Sequence, residues 1–395
     1  RIKIDLKNFN LFIVTKNLEI IYQNVSIPVE DIKLYFSLFS LIKSNPELSR
    51  IILNVKEIDT KKLQKILVGI KPSNFKSYLL NNVENGRLTK SYLDLNFNED
   101  FKVINYEIIG SIEKVNILIK KDISLKNVNF NFSAHKDLIL INSIQANYQG
   151  IDINKGTIEI KKKKRMIVKG SFNSKLNLNK LKLEKLTPSF KFDKLKKILI
   201  DSNSTNKFEL ELSDTLELLD YKINFNSNLS GSKIIFNEDF KNSVLEKSIS
   251  LIEFSKTNLN VDLNKKKDNF FIIKGLYKTN NSKPSSFEIK NNFKKDNSKY
   301  QINIDLNENI FIKFINFKND IKKKNNIKSS FTIKKKKILI NNLDFIENKN
   351  LISIKGIKIN KKNQLEKFDT IKVVTFNDNR ENNNFQIGFK KKKLL

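Results

Sequence analysis

Residues 124–186 read SLKNVNFNFSAHKDLILINSIQANYQGIDINKGTIEIKKKKRMIVKGSFNSKLNLNKLKLEKL. Apolar side chains take every second place at Val128, Phe130 and Phe132, at Ile151 and Ile153, at Ile158 and Ile160, and at Leu176 and Leu178, with Asn, Asp or Glu between them. A period of two sends alternate side chains to opposite faces of a strand. Short strands with one apolar and one wetted face, joined by polar turns, predict a meandering antiparallel sheet.

Working outward, the same pattern fills most of the chain after residue 100, for example at Leu259, Val261 and Leu263 and at Ile302 and Ile304. Isolated glycines (Gly110, Gly150, Gly156, Gly170) predict turns or bulges. Lysine runs at 161–164, 265–267, 322–324 and 334–337 lack apolar periodicity and fit hairpin tips. A solvated turn is their ordinary meaning, and contact with acidic lipid headgroups their functional one. Two breaks interrupt the strands: Phe192, Leu195, Ile198 and Leu199 suit a helix over Pro188–Leu199, and a weaker break covers Asn237–Ile252.

Before residue 100 the text is mixed. Ile2–Leu6 and Leu18–Tyr22 read as strands around turns at Asn8 and Asn17. Pro28 with Glu30 and Asp31 behind it, and Leu34, Leu38, Leu41 and Ile42 at helical spacing, predicts a helix ended by Asn45-Pro46. Ile51, Leu53 and Val55 form a strand pattern. Asp59 then caps a helix with Leu63, Ile66, Leu67 and Ile70 on one face, and Ser73 caps another running to Leu80. Asn85-Gly86 is a tight-turn signal. The expected organisation is a strand–helix block over 1–99 that caps a β-groove, a first groove segment over 100–186, a helix-interrupted segment over 187–255 and further hairpins over 256–395.

Composition excludes several functions. With no cysteine, disulfides and thiolate chemistry are ruled out. His135 is the sole histidine and lies between two strand patterns, so paired-histidine metal sites and a Ser-His-Asp arrangement have no support. There is no glycine-rich phosphate loop and no calcium-loop spacing. A non-enzyme without a cofactor is expected. The formal charge of +32 points to an acidic partner, yet only five of the 74 basic residues are arginine, the residue that base and phosphate readout favours. The phenylalanines alternate with polar residues as a buried sheet face requires, so nucleic acid is not expected as a partner. No stretch reaches the roughly 18 apolar residues of a membrane-spanning helix. The chain opens on Arg1 and ends on Leu395, and is expected to be a segment of a longer protein.

A sheet of about 20 strands with one apolar face must bury that face or aggregate. Few helical patterns are present to cover it. It can fold into a sandwich, or curl into a gutter on the order of 100 Å long at about 4.8 Å per strand. The periodicity leaves both open. The order of features resembles the AsmA-like family of bacterial envelope proteins, particularly its YhdP branch. The likeness rests on the strand–helix block with Pro28, Ile51–Val55, Asp59 and Ser73, on Asn85-Gly86-Arg87, on Leu125-Lys-Asn-Val-Asn-Phe130, on Asn147-Tyr-Gln-Gly-Ile-Asp-Ile153, on Gly156-Thr-Ile-Glu-Ile160 and on Val168-Lys-Gly170. It covers residues 28–186 best and the remainder more loosely.

The resemblance implies a mainly β, elongated, curled antiparallel sheet, a β-groove with a few helices near the N-terminal end and around residue 190. It implies bridge-like lipid transport between inner and outer membrane in outer-membrane biogenesis. Phospholipids and bacterial membranes are the implied partners, envelope proteins further candidates, and the periplasm the location, with an inner-membrane anchor supplied by a helix outside this chain. Candidate lining residues are Val128, Phe130, Phe132, Ile151, Ile153, Ile158, Ile160, Leu176, Leu178, Leu259, Val261, Leu263, Ile302 and Ile304. The alternative is a non-catalytic structural or assembly protein of the envelope, with a dry core, acting through protein contacts.

Overall fold

A computed structural model describes residues 1–5, 10–38, 40, 47–69, 72–120, 123–186, 192–280, 282–294, 297–334, 337–359, 365–377 and 380–388. The chain is mainly β, with 74% of the described residues in strands. Hydrogen bonds join 25 strands into an antiparallel sheet. Two compact units divide the chain: residues 1–174 with 205–221, and residues 175–204 with 222–395. Among the described residues no helix is long and apolar enough to cross a membrane.

In the first unit the strands pair largely in chain order. Asn10–Tyr22 pairs with Val25–Ser37, Val25–Ser37 with Leu48–Val55, Leu48–Val55 with Arg87–Phe97, and Arg87–Phe97 with Val103–Lys120. Ile123–Ala134, Leu138–Tyr148 and Ile151–Lys162 continue the meander. Positive-φ residues such as Asn17, Lys114, Asn127, Ser143 and Lys155 lie inside these strands, several of them where the register shifts. Each such bulge adds a residue to one strand and bends it.

The helix expected from Pro28 is a strand, Val25–Ser37. Pro28 lies opposite Glu19, and its carbonyl accepts from the Lys56 amide at 2.9 Å. A residue's N and O point to the same side of a strand, so the missing proline N–H faces the place where Leu48–Val55 has already ended. The loss is therefore harmless. Ile32, Leu34 and Phe36 are the period-two set that pairs with Leu53, Ile51 and Leu48. Leu41, Ile42 and Asn45-Pro46 lie outside the described residues, as do Asn8, Ile70 and Pro188.

Helix α1 spans Thr60–Val68 and helix α2 Asn74–Asn82. Ser73 caps α2 by accepting from the Lys76 amide at 3.2 Å. Asp59 occupies the cap position of α1 but makes no side-chain capping bond. Thr60 instead ties the helix start to the turn: its amide donates to the Gly86 carbonyl at 3.1 Å and its hydroxyl to the Asn85 carbonyl. Asn85 and Gly86 have φ of 58° and 92°, the left-handed pair expected of a tight turn. The turn does not close a simple hairpin, because Val83–Glu84 pairs with Val103–Lys120 while Arg87–Phe97 pairs with Ile58–Asp59.

Helix α3 covers Lys180–Leu186, earlier than the predicted Pro188–Leu199. Leu195, Ile198 and Leu199 belong to the strand Leu195–Leu212, where Ile198 is buried opposite Ile234. The weaker break survives only as the connection between Ser232–Phe240 and Ile249–Asn264. In the second unit Ile249–Asn264, Asn269–Thr279, Ser285–Lys294, Asn297–Asp305, Asn325–Lys334, Lys337–Glu347, Asn350–Ile359, Thr370–Asn377 and Arg380–Gly388 pair one after another. Of the predicted turn glycines, Gly150 sits in a turn at φ 85°, whereas Gly110 is inside a strand. The Phe132 ring lies where a Gly110 side chain would stand, 2.6 Å from that position, so the glycine makes room for the aromatic opposite it.

Candidate functional site

Register shows which side chains share a face. In the second unit three rows cross the strands on one side. The central row runs Ser227, Leu259, Ile273, Ile289, Ile302, Ser329, Leu343, Ile354, Ile371 and Ile387. Beside it run Phe225, Val261, Phe271, Asn291, Tyr300, Phe331, Ile340 and Ile357. On the other flank run Gly275, Phe287, Ile304, Ile327, Phe345, Ile352, Val373 and Phe385. The opposite face along Asn258, Lys274, Glu288, Asn303, Lys328, Asp344, Ser353 and Lys372 is polar.

The three rows differ in cover. The flank with Phe345, Ile352 and Val373 is packed under the segment from Leu306 to Asn319, whose Ile310, Ile315 and Phe317 join it in one buried cluster. Val373 has no exposed surface, and the Phe317 and Phe345 rings meet edge to face at 5.6 Å. From Leu259 to Ile371 the apolar members of the central row are all half-buried. Tyr300 and Phe331 in the neighbouring row stack at 4.6 Å and are half-buried as well.

A polar belt closes the packed side. Asn325, Glu347 and Asn350 lie next in register beyond Ile327, Phe345 and Ile352, and all three are buried. The Asp320 amide and the Asn350 side-chain amide each donate to the Glu347 carboxylate at 2.6 Å. Near the same end Tyr277 donates its phenol to the Asp305 carbonyl at 3.0 Å. Burial, then the charges of Glu308 and Asp305, push its pKa up to about 12. Below pH about 10 the phenol is neutral in both folded and unfolded chains. Between about 10 and 12 only the unfolded chain ionises there, so stability falls as pH rises through that window. Alkaline titration followed by phenolate absorbance is expected to show a late phase near pH 12 that Tyr277→Phe removes.

The first unit gathers part of the predicted lining. Val128, Phe130 and Ile153 join Val115, Ala146, Ile112 and Ile144 in one cluster, with Val128 at 2% exposure. Phe132 and Ile158 both lie opposite Ile141, Ile160 opposite Ile139, and Ile151 opposite Tyr148. Leu176 and Leu178 belong to the second unit, half-buried and buried. Leu259, Val261, Leu263, Ile302 and Ile304 stand on the three-row face or beside it. Val128, Ile160 and Leu178 are buried by protein alone, which leaves the half-buried members as those able to meet a ligand.

The strongest charge arrangement was not legible in the sequence. Arg50 grips Asp94 with two hydrogen bonds, one of them 2.8 Å from Nε, and the Tyr92 phenol donates to the same carboxylate at 3.0 Å. Bonding to Arg50 holds the Asp94 carboxyl below the usual range and raises the guanidinium in turn. The Arg50 guanidinium also stands 5.6 Å from the Tyr35 ring centre. Every member is spent on another, and Ile52↔Asp94 places the group opposite Ile51 and Leu53, away from that strand's apolar face. Comparison with protein-family models, with curated proteins and with solved structures returns no match.

Proposed function

We propose that this chain conducts phospholipids, holding acyl chains on its apolar β face while headgroups stay in water, as a bridge-like carrier of the AsmA-like kind between inner and outer membrane. The observation that carries this reading is the central row. From Leu259 to Ile371 it crosses eight successive strands, interrupted by one serine, and none of its side chains is buried. At about 4.8 Å per strand that row measures roughly 34 Å. Half the hydrocarbon thickness of a bilayer, about 15 Å, is the reach of one acyl chain, so the row has room for two end to end.

Each methylene moved from water onto such a face gains about 0.8 kcal/mol, and no catalytic group is needed for that. A structural or assembly role in the envelope draws on the packed cluster under Leu306–Asn319, which is a dry core by itself. The two readings separate on purification. Phospholipid found by mass spectrometry in molar yield with the native chain is the expected result. A lipid-free protein whose central row is also closed to a lipophilic dye would sink the conduit.

A further inference from the structure

The lysine runs, distant in sequence, are sorted by the hairpins. In a meander successive turns alternate between the two ends of the strands. The turns between Asn264 and Asn269, Lys294 and Asn297, and Lys334 and Lys337 therefore share one end of the second unit. The pairs Asn269↔Phe293, Lys294↔Asn297, Asn297↔Lys334 and Lys334↔Lys337 hold these tips nearly flush. Lys265, Lys266, Lys267, Lys294, Lys334 and Lys337 are all exposed there. Asp268 is the one acid among the described tip residues, 3.9 Å from Lys294 Nζ. The other end also carries a lysine run, Lys322–Lys324, but acids stand among its cations: Lys318 pairs with Glu246 at 2.7 Å and Lys323 with Asp320 at 3.8 Å.

We propose that Lys265–Lys267, Lys294, Lys334 and Lys337 form a ridge that docks this strand-end edge of the second unit on an anionic phospholipid bilayer. The proposal deepens the conduit reading and rests on it for the choice of partner. Successive tips stand two strand spacings apart, about 10 Å, which equals the screening length at about 0.1 M salt, so neighbouring tips act together on one charged surface. A second feature selects a bilayer over nucleic acid. On the face of the three rows, Leu263, Phe293, Ile333 and Ile338 carry the apolar pattern to within one or two residues of the lysines. An apolar edge meeting a cationic rim matches the level where acyl chains join phosphate headgroups, and a nucleic acid backbone has no counterpart to the apolar edge.

The test is flotation of the intact chain with vesicles of phosphatidylcholine alone or mixed with phosphatidylglycerol, at low and high salt. Each lysine near an anionic surface contributes roughly fivefold in partitioning. The variant K267Q/K294Q/K334Q is expected to bind the anionic vesicles at least about tenfold more weakly. The equal charge change K322Q/K323Q/K324Q, at the other end, is expected to lower binding less than about threefold, because only the ridge faces the membrane. Equal losses from the two variants, or no preference for anionic over neutral vesicles, would overturn the ridge. So would a loss of single-stranded oligonucleotide binding with vesicle binding intact. Phospholipid carried through purification is measured on the same samples: a ridge variant that still carries lipid but no longer floats confirms the docking site. A wild-type chain that floats through the ridge yet carries no lipid leaves the ridge standing and removes the conduit.

Discussion

Replacing Ile302 by glutamate is expected to leave the second unit folded and to empty it of phospholipid. Ile302 stands mid-row between Ile289 and Ser329 and is half-buried. In a dry core an unpaired carboxylate costs several kcal/mol, comparable with the 5–15 kcal/mol that holds most domains together. On an open face it keeps its water, so the cost to folding is about 1 kcal/mol. For an acyl chain crossing the same spot, the hydrated charge is a barrier in the middle of the path. Thermal unfolding and lipid extraction on one preparation decide the matter. A variant that unfolds identifies a packed core, and one that folds and keeps its lipid shows that the row is not the lipid surface.

The opposite outcome is expected for Phe345→Ala. Phe345 is buried against Phe317 and belongs to the cluster of Ile310, Ile315, Ile352 and Val373. Truncating a buried phenylalanine removes its transfer energy and leaves a cavity, together about 3–5 kcal/mol. The loss is expected in denaturant midpoints, with early proteolysis inside Leu306–Asn319, the segment seated on that ring. Phe331→Ala serves as the comparison. Its ring stacks on Tyr300 but is half-buried, so about 1–2 kcal/mol is expected. Equal losses at the two positions would mean that both lie in one continuous core.

These two positions mark how far the sequence could be read. Alternation at Val128–Phe132 and Ile151–Ile160 announced strands, because the period is local, and all of them formed. Ser73 and Asn85-Gly86 were legible for the same reason: cap and turn chemistry is written within four residues. Pro28 misled because a proline followed by acids is a helix opening only where no sheet partner competes, and Asn10–Tyr22 and Leu48–Val55 flank it. Leu195, Ile198 and Leu199 misled similarly, since three apolar residues satisfy a helical spacing as readily as a bulged strand. What covers each row was not legible. Phe345 and Phe331 sit in equivalent patterns, and the distinction comes from the segment Leu306–Asn319, which the Leu245–Ile310 bridge helps to hold across one of them. Arg50 and Asp94, far apart in the chain, meet for the same non-local reason.

From Ile249 to Gly388 almost every strand bonds to the strands just before and after it in the chain. Apart from the connection that carries Leu306–Asn319, ordering such a sheet needs only short loops to close at each step, and the closure entropy of a short loop is small. The face can therefore be laid down one hairpin at a time as the polypeptide emerges during synthesis, each new strand finding its template already in place. Unfolding runs along the same line. Among the described strands Arg380–Gly388 has one partner, and amide exchange slows strand by strand toward the middle of the array, as in a one-dimensional lattice.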